Sequence, residues 1–217
     1  MTRYELVIFD WDGTLMDSTR LIAACIQASC RDLGLAVPTV EAASWVIGLG
    51  FQETLERIAP GITPAQQQAL TARYRYHFLA REHEAPLFEG IRETLDDLRG
   101  RARRMAVATG KSRLGLERAM AGVGLAGVFE VTRCADEGFP KPHPDMLMHI
   151  LDRTGVDAAR AVMIGDTTHD LELAANAGVD AVAVCYGAHD EPLLREREAR
   201  HYATSVEDLR QWLANHA

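Results

Sequence analysis

Leu6-Val7-Ile8-Phe9-Asp10-Trp11-Asp12-Gly13-Thr14 sets the class of fold. Its four apolar residues are short, β-rich and ended by acids and a glycine, which predicts a strand buried on both faces, as in a parallel sheet. Working outward, Met105-Ala106-Val107-Ala108, Val128-Phe129-Glu130-Val131, Ala161-Val162-Met163-Ile164 and Ala181-Val182-Ala183-Val184-Cys185 predict further strands of the same kind. Helical patterns separate them: one opened by Ser112, one over Pro144–Arg153, one over His169–Ala177 that stops at Gly178, and one begun at Ser205 with Asp208 three residues on. Strands alternating with helices predict an α/β fold with an open, Rossmann-like parallel sheet.

The interval from Phe9 to Met105 is far longer than a βαβ crossover needs. Within it, Ser18–Leu33 carries apolar residues at 21, 22, 25, 26 and 33 and ends at Gly34, while Thr63-Pro64 caps a helix running to about Glu82. Residues 15–85 therefore read as a small α-helical cap domain inserted after the first strand, with 1–14 and 86–217 as the α/β core. The insertion holds 7 acids against 6 arginines, so most of the net charge of −8 belongs to the core. That charge disfavours nucleic acid as a partner, because binding there rests on neutralising phosphates with cations. No apolar run nears the ~18–20 residues of a membrane span, and Met1–Asp10 lacks a secretion-signal pattern. Cys25, Cys30, Cys134 and Cys185 have no metal-binding spacing and read as buried, reduced thiols, which predicts a cytoplasmic protein. Of 23 basic residues only 2 are lysine, Lys111 and Lys141, so each position that has kept a compact point charge stands out.

The chemistry gathers at strand ends. Asp10 and Asp12 follow the first strand, and Gly165-Asp166-Thr167-Thr168-His169-Asp170 follows the fourth. Taken singly, an Asp-Gly turn or an acid at a helix start needs no function. In open parallel sheets, however, sites lie beyond the carboxyl ends of strands where the strand order reverses. If strands one and four are neighbours there, Asp10, Asp12, Asp166 and Asp170 share one small volume, and a hard cation such as Mg²⁺ relieves their repulsion. Thr109-Gly110-Lys111 adds a hydroxyl, an open backbone N–H and a cation, and Pro140-Lys141-Pro142 adds an ammonium on stiffened chain. These are parts for phosphoryl transfer, where catalysis is chiefly positioning and charge stabilisation.

This ordered set, from Asp10-Trp11-Asp12-Gly13-Thr14 through Thr109 and Lys141 to Gly165–Asp170, resembles the haloacid dehalogenase-like superfamily in its phosphatase branch. The layout is similar to phosphoglycolate phosphatases along the whole chain, including Pro86-Leu87-Phe88-Glu89-Gly90, which re-enters the core. The resemblance implies that Asp10 attacks phosphorus and forms an aspartyl-phosphate. It implies that Asp12 is the general acid and then base, its backbone carbonyl also binding Mg²⁺, and that Asp166 is a metal ligand. Asp170 would ligate or orient, Thr109 and Gly110 would hold phosphoryl oxygens, and Lys141 would steady Asp10 and the phosphoryl group. Lys111, Gly50 and Gln52 are further candidates for substrate binding. The partner implied is a small phosphorylated metabolite, with neither nucleic acid nor membrane, and the protein a monomer or homodimer.

Relatives separate on single residues. Asp12 argues against carbon–halogen chemistry, the lack of any lysine in 15–85 against phosphonate cleavage, and Ile22, where the mutases carry a His, against sugar-phosphate mutases. Pyrophosphatase or nucleotidase chemistry stays open. Gly122-Val123-Gly124-Leu125-Ala126-Gly127 spells a dinucleotide-binding motif, but a helix precedes it and a strand follows, the reverse of what that motif needs, so a non-enzymatic binding module is disfavoured. Gly48-Leu49-Gly50-Phe51-Gln52 reads equally as a loop dipping into the site and as a helix–helix turn with Phe51 packed among the helices. Arg57, Arg73, Arg75 and His77 are candidates for an anionic substrate or a solvated face, and Met146-Leu147-Met148 reads as core.

Overall fold

A computed structural model describes residues 3–217, without the side chain of Phe51. Leu6–Phe9 form β1, every residue of it buried, because both faces of the strand are covered. Val7 and Phe9 face one layer, where Ile91, Leu95 and Leu98 of α5 (Ile91–Gly100), Leu116 of α6 (Arg113–Gly122) and Leu209 and Leu213 of α10 (Val206–His216) pack. Leu6 and Ile8 face the other, filled by Met146, Leu147 and Ile150 of α7 (Asp145–Thr154) and Leu171 and Ala174 of α8 (Thr168–Ala177). The period-two alternation of a strand thus feeds two separate cores.

The sheet is parallel throughout, with β2 (Arg104–Thr109), β3 (Val131–Cys134), β4 (Ala161–Gly165), β5 (Asp180–Val184) and β6 (His201–Ala203) in the order β3-β2-β1-β4-β5-β6. β1 pairs β2 on one side and β4 on the other, with Phe9 opposite both Val107 and Ile164. The strand order reverses there, and Asp10 emerges one residue beyond that level, Thr109 and Asp166 two residues beyond it.

Two strand expectations need correction. Val128 and Phe129 precede β3 rather than form it: Phe129 is buried against the edge of Trp11, and the ladder begins only with Glu130 N–H bonded to the carbonyl of Met105. Their apolarity serves the core beneath the sheet edge. β6 has no counterpart in the sequence reading, because a three-residue edge strand with half-buried His201 and Tyr202 carries little apolar signal. Gly124 and Gly127 adopt positive φ (69° and 76°) in the turns between α6 and β3, which accounts for that glycine run without a nucleotide. Met146 and Leu147 are core as expected, whereas Met148 is 58% exposed. The four cysteines are free thiols; three are buried and Cys185, just past β5, is half-buried.

Between β1 and β2 lie α1 (Thr19–Asp32), α2 (Val40–Trp45), α3 (Phe51–Ile58) and α4 (Pro64–Arg81). Thr63 caps α4 as expected, its hydroxyl accepting from Gln66 N–H while the Gln66 side chain reaches back. These helices gather their own apolar cluster, including Ile22, Ile26, Cys30, Leu55, Ile58 and Leu70. The chain enters and leaves them side by side, with Asp17 N–H on the Pro86 carbonyl at 2.9 Å and Phe88 N–H on that of Leu15 at 3.0 Å. α9 is a single turn, Glu191–Leu194. Among the described residues, no helix is long and apolar enough to cross a membrane.

Candidate active site

Asp10 leaves β1 with its backbone N–H still bonded to the Ile164 carbonyl, so its direction is set by the sheet. Its Oδ1 accepts from Lys141 Nζ at 2.7 Å, while Oδ2 is buried with no hydrogen-bond partner. Asp166, two residues past the level of Phe9, accepts from Thr14 Oγ1 at 2.9 Å and from Ala188 N–H at 2.7 Å. Asp170 sits at the third position of α8, where Oδ2 accepts from both the N–H and the hydroxyl of Thr167, and Oδ1 accepts from Lys141 at 2.6 Å. Thr167, not an aspartate, is the helix cap. One oxygen from each of Asp10, Asp166 and Asp170 lies within 4.8 Å of the others, all buried.

Such crowding has an electrostatic consequence. Burial, then the negative charge of Asp170, pushes the Asp10 carboxyl well above the usual carboxylate range despite the pull of Lys141. Burial together with Asp10 and Asp170 does the same to Asp166. For Lys141 burial opposes the charge, yet the two flanking carboxylates outweigh it and hold the ammonium above its ordinary value. The orphaned Asp10 Oδ2 beside a second buried carboxylate is what a hard cation with oxygen ligands requires, so the donor set fits Mg²⁺. Asp170 stands in the same cluster and, through Oδ1, also orients Lys141.

The two lysines divide the first motif between them. Lys141 holds Asp10, and Lys111 Nζ lies 3.0 Å from Asp12 Oδ2 and 4.8 Å from the ring centroid of Phe78 on α4. Asp12 Oδ1 accepts from Ser18 at 2.7 Å, so its carboxylate faces away from the three-acid cluster and towards the helices. Thr109 Oγ1 accepts the Lys111 N–H at 3.2 Å, which leaves its hydroxyl proton free to donate. Glycine is required where the turns meet: at Gly13 (φ 84°) a Cβ would lie 2.1 Å from Asp166 Oδ2.

The helical layer reaches down onto this site. A Cβ on Gly110 would stand 2.8 Å from the Gly48 carbonyl oxygen, which places the Gly48–Leu49 backbone directly over the end of β2. Gly48 and Leu49 line the cavity, but Gly50 packs on Pro140 instead, where a Cβ would be 2.6 Å from that ring. Gln52 is not brought to the cavity. It is exposed at the second position of α3 and donates to Glu56 at 2.9 Å, one turn along the solvent face opposite buried Leu55 and Ile58. The Phe51 side chain lies outside the described residues, and with it the expectation that it packs among the helices. Of the four cationic candidates, Arg75 lines the cavity; Arg73 and His77 grip Asp32, and Arg57 lies 4.0 Å over the ring of Trp45.

The sequence reading missed the segment after β5. Ala188 supports Asp166, Tyr186 donates to the Thr14 carbonyl, and a Cβ on Gly187 would collide with Asp166 at 2.3 Å. His189 and His169 both direct Nε2 to the Trp45 carbonyl, at 3.1 and 3.0 Å. A carbonyl only accepts, so both nitrogens carry hydrogen, and His189 Nδ1 is left to accept from Thr168 N–H at 3.1 Å. His189 is therefore the neutral imidazole, and burial lowers the pKa of both histidines. Trp45 packs its ring against both, 4.6 Å from His169 and 5.8 Å from His189, tying α2 to the core. Replacing His189 by alanine strands the Thr168 N–H in the interior. The expected loss is about 1–3 kcal/mol in urea melts, and an unchanged midpoint would remove the tie.

The geometry can be set beside known proteins. IndB of Dickeya dadantii, named a probable phosphatase, is 36% identical over 200 residues, covering 89% of this chain and 86% of its own. PtkA of Mycobacterium tuberculosis, named a tyrosine-protein kinase, is 34% identical over 213 residues, 96% of this chain and 72% of that one. The crystal structure of a hydrolase from Pseudomonas syringae shares the fold with a TM-score of 0.87 at 20% identity, over 99% of this chain and 98% of that one. Residues 7–184, which contain all four motifs and the inserted helices, match the haloacid dehalogenase-like hydrolases, and the chain belongs to that family.

Proposed function

We propose that this protein is a Mg²⁺-dependent phosphatase that hydrolyses a small phosphate monoester through an aspartyl-phosphate on Asp10. One observation carries the reading: Lys141 clamps Asp10 to Asp170 beside Asp166, while the second Asp10 oxygen is left without a partner. Asp10, Asp166 and the Asp12 backbone carbonyl would hold the cation, which neutralises charge on the carboxylates and the phosphoryl group.

The chain's own residues divide the work. An Asp10 oxygen attacks phosphorus, and the leaving alkoxide takes a proton from Asp12, which lines the cavity two residues on from the nucleophile. Asp12, now a carboxylate, takes a proton from the water that attacks the acyl-phosphate, and Asp10 is released. Ser18 and Lys111 keep the Asp12 carboxylate aimed at the cavity. The third Lys141 hydrogen, the Thr109 hydroxyl and the Gly110 backbone stabilise the phosphoryl oxygens. Ile22 lines the same cavity as an apolar group without acid or base function, which favours water as acceptor over a mutase cycle.

Three results check the proposal. Phosphate release from p-nitrophenyl phosphate is expected with Mg²⁺ and not after chelation; phosphotyrosine formed without phosphate release would indicate kinase chemistry instead. Asp12→Ala is expected to slow alkyl phosphates about 10²–10⁴-fold and p-nitrophenyl phosphate far less, since nitrophenolate leaves without a proton. Equal losses would remove the acid role. Mg²⁺ is also expected to raise Tm, because a ligand of the native state stabilises it, and Asp166→Asn to erase that rise in thermal scans.

A further inference from the structure

The cavity over Asp10 and Asp12 has a volume of about 640 Å³, within the ~300–1,000 Å³ of sites that take drug-sized ligands. Its polar end is small: the two aspartates, Thr109, Gly110 and Lys111. Beyond them the walls, provided by the inserted helices, are apolar, with Ile22, Val46, Leu55, Ile58, Tyr74 and Phe78 facing the space. Tyr74 and Phe78 stack on each other, centroids 5.7 Å apart and planes 20° from parallel. At the rim, Leu79 of α4 and Leu114 of α6 remain 44% and 63% exposed.

Three of the hydroxyls in these walls are already committed, while the Tyr74 phenol, near Asp12, has no hydrogen-bond partner among the described residues. Ser29 donates to the Cys25 carbonyl at 2.6 Å, Thr54 to that of Gly50 at 3.1 Å and Thr71 to that of Gln67 at 2.7 Å, each one turn back along its own helix. Apart from that phenol, a sugar or polyol would bury its hydroxyls against carbon, a costly exchange. A carboxylate-bearing leaving group finds a single unpaired cation in these walls. Lys111 is paired with Asp12, and Arg118 reaches Glu82 at 3.4 Å, which leaves Arg75 as the lining cation without an ion pair among the described residues.

The geometry points to phosphate monoesters of bulky apolar alcohols, ring-bearing ones foremost, as the substrates of this site. This rests on the phosphatase reading and narrows it: the phosphoryl group sits among Asp10, Thr109 and Lys141, and the alcohol's hydrocarbon body fills the chamber between α1, α3 and α4. Discrimination comes from the area removed from water in the chamber, since the polar end treats every ester alike.

The test compares esters whose alcohols have similar acidity, so that differences report the chamber and not the leaving group. With Mg²⁺ present, kcat/KM for 2-phenylethyl phosphate is expected to exceed that for ethyl phosphate by about 10–200-fold, the range for burying a group of that size. It is also expected to exceed that for phosphoglycolate and glucose 6-phosphate. In Phe78→Ala, which opens the wall, and in Ile22→Phe, which fills the chamber, the ratio of phenylethyl to ethyl ester is expected to fall several-fold. A ratio near one, or phosphoglycolate or glucose 6-phosphate as the preferred ester, would overturn the inference while leaving the phosphatase reading standing. No hydrolysis of any ester, p-nitrophenyl phosphate included, would overturn both.

Discussion

Asp10→Asn is expected to lower phosphatase turnover by on the order of 10⁴-fold or more, with the fold intact. The substitution is nearly isosteric, and the amide oxygen can still accept from Lys141, whose other bond to Asp170 at 2.6 Å is untouched. What it removes is the anionic oxygen that would form the bond to phosphorus. It also removes a negative charge from a site where Asp10, Asp166 and Asp170 crowd together. The metal-free variant is therefore expected to melt no lower than the metal-free parent, and Mg²⁺ to raise its Tm less. Steady-state kinetics and thermal scans on the same preparations separate the two effects. Retained turnover would remove Asp10 as nucleophile; a collapsed Tm would mean that its charge is structural.

The second large effect is at Lys141, which is fully buried with carboxylates on two sides. Lys141→Met keeps the length and apolar stem and deletes the charge, leaving the acids uncompensated. Removing one partner from a buried ion pair costs about 3–5 kcal/mol, which urea melts would read directly. Turnover is expected to fall about 10²–10³-fold as well, the typical loss for one donor to a developing oxyanion. Lys141→Arg is not expected to rescue, because a wide planar fork cannot occupy a pocket that presents single oxygens at 2.6 and 2.7 Å on either side. Adding Asp170→Asn to Lys141→Met is expected to recover part of the stability, since one uncompensated charge is gone, and none of the activity. That non-additivity is the signature of a coupled triad. Additive losses would mean that the three groups act independently.

The two lysines mark where residue order stops specifying the site. Against 21 arginines, Lys111 and Lys141 were conspicuous by type and by their places after predicted strands. Both pair with the Asp10-Trp11-Asp12 motif. The family resemblance implies the Lys141–Asp10 pairing, whereas nothing in the order of residues assigns Lys111 to Asp12; that contact follows from β2, which ends just before Lys111, lying beside β1. Gln52 illustrates the opposite case. Gly48–Gln52 reads equally as a loop into the site and as a helix–helix turn; its Gly48–Leu49 backbone does reach the site, but α3 begins at Phe51 and its helical pitch turns Gln52 to solvent.

Residue order was enough for the parallel α/β core, the helical insertion between β1 and β2, and the acids, lysines and threonine near the strand ends. These are local signals: apolar runs of strand length, capping residues and Asp-Gly turns act over a few neighbours and survive in one dimension. The packed molecule adds that Ser18 and Lys111 hold Asp12, that Tyr186–His189 support Asp166 and clasp Trp45, and that the chamber's walls are mostly apolar. Those relations join residues as many as 172 apart, as from Thr14 to Tyr186, through side-chain contacts that carry no periodicity. Such contacts exist only once the two cores have packed and the strand ends are level, because packing and not the local pattern brings the partners within reach.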